Sequence, residues 1–301
     1  MTEKILLADE NLSKLGLGDL INRFSCLNNS ENKNTTLLFR NAKHKSKVFD
    51  LENVISDILK NQNVKIKILE YHQNPEIIEP IENGEFNPKL NTKIIFSNKE
   101  LKWAEKILKR CGFSPSDKLL AICNNIPGRT QKKMWLRKHW ILLIETIIQT
   151  HPDFKIVLLP NFRSIEDISD EKTLKYLKGK YPEIKIFSFQ SWIKANLQKI
   201  VSSQKQFGKS KNNSGFSIRQ FGTITAQLLK GKNRFGVFND SGLAHLAIAS
   251  IGKISGNIIS VNVENVDHYQ LRNGGKSFPF GNGKTKTNPT IVAKYINAKI
   301  Q

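Results

Sequence analysis

GVFNDSGLAHLAIAS, Gly236 to Ser250, decides how the chain is read. The apolar run Phe235 to Phe238 stops at a polar cluster of Asn239, Asp240, Ser241 and Gly242. Leu243, Leu246, Ala247 and Ser250 then recur at helical spacing. The pattern predicts a buried strand, a tight turn and a helix. Asp240 or Ser241 caps that helix in this reading, leaving its first amides bare above the strand end. Bare amides at the positive end of a helix dipole seat a phosphate, and Gly242 lets a ligand approach the backbone closely. A capped helix after a buried strand has the same local sequence without any ligand. Other stretches have to decide between the two.

Upstream, Lys118 to Cys123, Phe154 to Pro160 and Ile184 to Phe189 read as buried strands. Between and around them, Lys99 to Cys111, Leu142 to Ile148, Ile165 to Gly179 and Thr223 to Leu229 read as helices. Downstream, Ile258 to Val263 is a strand, Asn273 to Asn288 a glycine- and lysine-rich loop, and Ile291 to Ile300 a terminal helix. Nearer the N-terminus, Lys4 to Ala8, Thr36 to Phe39 and Val64 to Leu69 are strands, with a helix at Leu51 to Leu59. The segment Leu15 to Leu27 turns at Gly16 and Gly18, can be capped by Asp19, and continues as a helix. His72 to Thr92 has no apolar period and reads as a loop or linker. Strands alternating with helices imply parallel βαβ units. The fold class expected is α/β, in two units spanning residues 1–98 and 99–301.

A second stretch carries chemistry: NNIPGRTQKKMWLRKHW, Asn124 to Trp140. It begins as a Pro-Gly loop at a strand end, where α/β folds place ligands. Arg129, Thr130, Lys132 and Lys133 make it cationic, and a cationic loop suits a diphosphate. Read structurally instead, Trp135 and Trp140 pack the following helix and the lysines are solvated.

Composition limits the rest. Of the 301 residues, the first 100 hold 14 basic and 14 acidic side chains, so residues 101–301 carry the whole net charge of +21. Such asymmetry suggests a domain that meets anions: nucleotide phosphates, nucleic acid or an anionic membrane face. Cys26, Cys111 and Cys123 lie far apart, which argues against a zinc site or a disulfide framework and fits a reducing cytoplasm. The start MTEKILLADE lacks the apolar core of a secretory signal, and the patch Ile141 to Ile148 is far below the ~20 residues that span a bilayer.

Taken together, the sequence resembles glycosyltransferase family 9, the bacterial lipopolysaccharide heptosyltransferases. LGLGDL near the N-terminus resembles the family's glycine-Asp turn. TQKKMWLRKHW, Thr130 to Trp140, resembles its loop with a lysine, a Trp and a His-Trp pair, and FNDSGLAHLAIA its Asp-Thr/Ser-Gly-x-x-His turn. The resemblance implies a GT-B architecture, two Rossmann-like domains facing across a cleft, the N-terminal one shortened because only about three strands are legible there. It implies an inverting transfer that needs neither metal nor cofactor, from a nucleotide-sugar donor such as ADP-heptose to a lipopolysaccharide or other surface-glycan acceptor. Asp19 would be the general base and Lys133 would neutralise the departing diphosphate. Asp240, Ser241 and Gly242 would form the donor turn beside Thr130, with His245 facing the same pocket or buried as a hydrogen-bonded core histidine. Gly128 and Arg129 stand where the family has small hydroxyl residues, and Arg129 would replace their bonds with charge. The implied location is cytoplasmic, with peripheral contact to an anionic membrane.

Two other classes are compatible with the residues. A non-catalytic relative that binds nucleotide-sugar or glycan would explain a short N-terminal unit. A nucleic-acid-binding protein would explain the charge, but the lysine-rich stretch Ser202 to Ser214 lacks interleaved aromatics, so no nucleic-acid partner is expected.

Overall fold

The computed structural model describes residues 4–8, 35–40, 51–60, 64–69, 79–80, 93–124, 134–160, 171–196, 198, 216–252, 257–263, 275–279 and 286–300. They form two parallel sheets. The first takes β1 (Lys4–Ala8), β2 (Thr35–Arg40), β3 (Val64–Leu69) and the two-residue β4 (Glu79–Pro80) in the order β3-β2-β1-β4. The second takes β5 (Leu119–Cys123), β6 (Lys155–Leu158), β7 (Ile186–Ser188), β8 (Arg234–Asn239), β9 (Ile258–Val263) and β10 (Lys276–Pro279) in the order β10-β9-β8-β5-β6-β7. Every pairing in it is parallel. In chain order the strands run third, second, first, fourth, fifth, sixth across this sheet, the doubly wound arrangement whose order reverses between β5 and β8.

Strands β5, β8 and β9 are apolar almost throughout because both of their faces are covered. Alternate residues serve opposite cores. Leu119, Ala121 and Cys123 of β5 join one core with α1 (Leu51–Leu59), α2 (Asn98–Arg110), α5 (Ile218–Leu228) and α6 (Gly242–Ile251). Leu120 and Ile122 join the other with α3 (Arg137–Thr150), α4 (Glu171–Lys180) and α7 (Pro289–Asn297). Helix α2 starts in a reciprocal cap: Ser97 Oγ accepts from the Glu100 N–H at 3.4 Å, and the Glu100 carboxylate accepts from the Ser97 N–H at 2.7 Å.

Helices α5 and α6 approach closely because Gly222 has no side chain. A Cβ there would lie 2.6 Å from Ser250 Oγ and 3.0 Å from the Phe96 ring. Gly222→Val should therefore destabilise the fold by about 1–3 kcal/mol through overpacking. Equilibrium urea unfolding reads this as a lowered midpoint, and an unchanged midpoint would contradict the close approach.

Several elements differ from the sequence expectation. Asn273 to Asn288 contains β10, an edge strand whose lysine and proline hide any strand pattern. His72 to Thr92 contains β4, which pairs through only two residues. Helix α5 begins at Ile218 rather than Thr223, under a Ser217–Gln220 capping box. Helix α4 is described from Glu171; the expected helical residues before it and the stretch Ser202 to Ser214 lie outside the described residues, as does the helix at Leu15 to Leu27. Among the described residues no helix is long and apolar enough to cross a membrane.

Candidate functional site

The sheet itself brings the two marked stretches together. Cys123, the last residue of β5, pairs with Phe238 of β8, so Asn124 onward and Asn239 onward leave neighbouring strand ends. That junction is where the strand order reverses, the crevice in which open α/β sheets bind ligands. Asn124, Asn239 and Asp240 are all buried there.

A polar lattice fixes this edge. The buried Asn239 Oδ1 accepts from the Trp135 backbone N–H at 3.1 Å, and the Trp135 ring N–H donates to the Thr287 carbonyl at 2.8 Å. Asn262 is the extra residue of a bulge in β9: Phe278 pairs with Val261 and Pro279 with Val263, and Asn262 takes φ 58°. Asparagine tolerates this left-handed conformation better than most residues, and here it is held by exchange with Thr287. The Asn262 N–H donates to Thr287 Oγ1 at 3.0 Å, the Thr287 N–H to Asn262 Oδ1 at 2.8 Å, and the Thr287 hydroxyl to the Pro279 carbonyl at 2.8 Å. Thr287→Val removes the hydroxyl that accepts from the buried Asn262 N–H and donates to the Pro279 carbonyl, and should cost about 1–3 kcal/mol. Chemical denaturation with an unchanged m-value checks this, and wild-type stability in the variant would discard the lattice as a structural element.

Trp135 and Trp140 are wholly buried and meet edge to face at 4.8 Å. They pack the sheet face under α3, as the structural reading of that stretch expects. Trp135 also has a positional effect, because it ties the start of α3 to the end of β8.

At the second turn, Ser241 occupies the N-cap position of α6, but its side chain makes no capping hydrogen bond. The expected cap by the Ser241 side chain is corrected accordingly: Ser241 takes the N-cap position with its backbone at φ −153°, ψ 163°. Ser241 is 7% exposed, and its buried hydroxyl has no hydrogen-bond partner among the described residues, an unusual condition for a buried polar group. Gly242 is partly exposed and begins the helix, and His245 is buried one turn further on. The first turn of α6 carries no acidic side chain to compete with an anion. A buried hydroxyl beside a helix N-terminus at a strand-order reversal can donate to, and electrostatically hold, a phosphate.

Gly16, Gly18, Asp19, Arg129, Thr130 and Lys133 lie outside the described residues. Asp240, Ser241, Gly242 and His245 are brought together on one turn. Sequence reading missed Asn239, Asn262 and Thr287 as a unit. The available signal was polar residues ending the otherwise apolar runs RFGVFN and IISVNV.

No protein-family model matches the sequence, and no curated protein is similar enough to count as a relative. Solved structures are similar in shape. A glycosyl transferase family 9 structure from Veillonella parvula DSM 2008 superposes with a TM-score of 0.56 at 10% identity, covering 99% of this chain and 95% of that one. The E. coli heptosyltransferase WaaC with ADP superposes with a TM-score of 0.50 at 10% identity, covering 99% of this chain and 100% of that one. The agreement extends over nearly the whole of both chains, and at this identity it speaks to architecture. The chain has the α/β, GT-B-like fold of these structures, with two parallel sheets of Rossmann strand order.

Proposed function

We propose that the chain is an inverting, metal-independent glycosyltransferase that moves a sugar from a nucleotide-sugar donor to a glycan or glycolipid acceptor. An ADP-heptose-like donor and a lipopolysaccharide or other surface-glycan acceptor fit the resemblance best. The observation that carries this reading is the side-by-side departure of residues 124 onward and 239–242 at the reversal of the strand order. It gives the cationic loop and the Ser241 turn a common place to hold one diphosphate.

The chemistry assigns the remaining roles. Displacing a nucleoside diphosphate from an anomeric carbon builds negative charge on the leaving oxygen. Lys133 supplies a point charge there, with Thr130 and Arg129 as further donors, and the α6 amides add a fixed dipole. Ser241, Asp240 and Gly242 shape the donor turn and His245 backs it. Asp19, after the glycine turn of Gly16 and Gly18, takes the proton of the attacking acceptor hydroxyl. The likeness of fold to a heptosyltransferase solved with ADP supports an adenine nucleotide over others.

A thermal-shift panel of nucleoside diphosphates and their sugars tests the reading. A ligand that binds only the folded state at about a hundred times its Kd adds about 2.7 kcal/mol, so ADP and ADP-sugars should raise the melting temperature by several degrees. No shift with any nucleotide would overturn the proposal. Binding without sugar transfer to any glycan acceptor would favour the non-catalytic relative.

A further inference from the structure

Next to the end of β8, to which Trp135 and the groove-lining Thr287 tie them, helices α3 and α7 pack against each other, and a groove of about 540 Å³ opens beside their first turns. Lys138, His139, Lys286 and Asn288 line it, with Leu142 at its rim. None of its described lining residues is acidic.

The histidine is held in place. Its ring stacks on Trp135 at 6.2 Å and 21°, and its Nδ1 accepts the Leu136 N–H at 3.2 Å. With Nδ1 occupied as an acceptor, the proton of the neutral ring sits on Nε2. Burial first, and then the charges of Lys138 and Lys286, keep the imidazole below its ordinary pKa. Burial also lowers the pKa of Lys286.

The surroundings are apolar as well as basic. Leu136, Leu142 and Ile291 are 37%, 44% and 53% exposed, and they make up three of the four exposed large hydrophobic side chains among the described residues. All three lie on or just before α3 and α7. Lysines around an open groove with exposed Leu and Ile beside them form the pattern of a surface that enters a headgroup layer. A site for a soluble anion would have no need of the apolar fringe.

We propose that this groove seats the phosphate of an anionic phospholipid headgroup, with Leu142 and Ile291 inserted into the interface beside it. The groove borders the candidate donor site through Trp135 and Thr287, but the proposal draws on neither Lys133 nor the Ser241 turn.

Co-sedimentation of the full chain with phosphatidylcholine vesicles, with and without about a third phosphatidylglycerol, tests it. The wild type should bind the anionic vesicles in preference to the neutral ones. Lys138→Glu with Lys286→Glu should weaken binding at least about five-fold for each charge removed. Leu142→Ser with Ile291→Ser should weaken the binding that persists at high salt. Lys102→Glu with Lys106→Glu on α2, exposed on the opposite face of the sheet, should leave most of the affinity. Lys138→Glu with Ile291→Ser, both at exposed positions, carries the same test if reversal of the half-buried Lys286 disturbs folding. Equal losses from the α2 and groove reversals would overturn the proposal, because general positive charge would then suffice. So would binding of soluble glycerophosphate together with wild-type vesicle binding by the Leu142→Ser/Ile291→Ser variant, which would leave a soluble-anion site only. Absence of any preference for anionic vesicles would also overturn it.

Discussion

Arg219→Ala lowers the unfolding free energy by about 3–5 kcal/mol, the cost of removing one partner from a buried ion pair. Arg219 in α5 is wholly buried and Glu100 in α2 nearly so. The guanidinium donates through Nε to one Glu100 oxygen at 2.5 Å and through an NH₂ group to the other at 2.9 Å. Two further donors reach the Asp57 carbonyl in α1 at 2.6 Å and the Ile95 carbonyl at 2.7 Å, and its Cζ lies 4.9 Å from the centre of the Phe96 ring. One side chain thus fastens α1, the 93–97 segment and α2 to α5. Truncation leaves a buried carboxylate without its counter-ion and takes a donor from each of two carbonyls. Lysine should recover only part of the loss, because an ammonium cannot reproduce the planar fork. Pairing Arg219→Met with Glu100→Gln should cost less than Arg219→Ala alone, since no uncompensated charge stays buried. A loss below about 1 kcal/mol in Arg219→Ala would show that the pair is not a fastener.

The same pair sets a pH dependence. Burial alone would raise the Glu100 carboxyl, but Arg219 and then Ser97 outweigh it and hold the group below its ordinary value. A carboxyl more acidic in the folded than in the unfolded state contributes stability above the unfolded pKa, about 4.3 for glutamate, and loses it as pH falls through the folded value. Stability should therefore decline on acidification below about pH 4, and the decline should be smaller in the Arg219→Met/Glu100→Gln variant.

Asp19→Asn should cut sugar transfer by about 10²–10⁴-fold while leaving donor affinity and melting temperature close to wild type. Asparagine keeps the size and the capping ability of the side chain, so the glycine turn survives. It cannot accept a proton at neutral pH, so the acceptor hydroxyl loses its base. The loss should appear in kcat rather than in the KM for donor, because the proton moves only as the acceptor attacks. Full activity in Asp19→Asn would remove the assigned base and return Asp19 to the role of a helix cap.

The second sheet was legible because its central strands are short apolar runs between turn residues, the form a strand takes when buried on both faces. β10 was not, since KSFP sits at an edge with two of its four residues exposed and no need for an apolar period. Both halves of the candidate site could be read separately: a cationic Pro-Gly loop, and a polar stop after an apolar run. The adjacency of the strand ends they follow could not, because it depends on β8 inserting beside β5 from over 100 residues away. Nor could the contacts of Trp135 with Asn239 and Thr287, which span separations of 104 and 152 residues. Arg219 lies between the stretches read from the sequence, and nothing near it shows that its partner is Glu100, 119 residues earlier. Local chemistry and periodicity survive in the sequence, whereas pairings made by topology do not.

Calorimetric titration with ADP, comparing the wild type with Lys133→Ala, tests most directly whether the two strand-end turns hold a nucleotide diphosphate. The account predicts a single site in the wild type and affinity about ten- to a hundredfold weaker in the variant, the loss expected for one charge-assisted bond to phosphate. Equal affinity in both proteins, or no heat from the wild type at all, would contradict it.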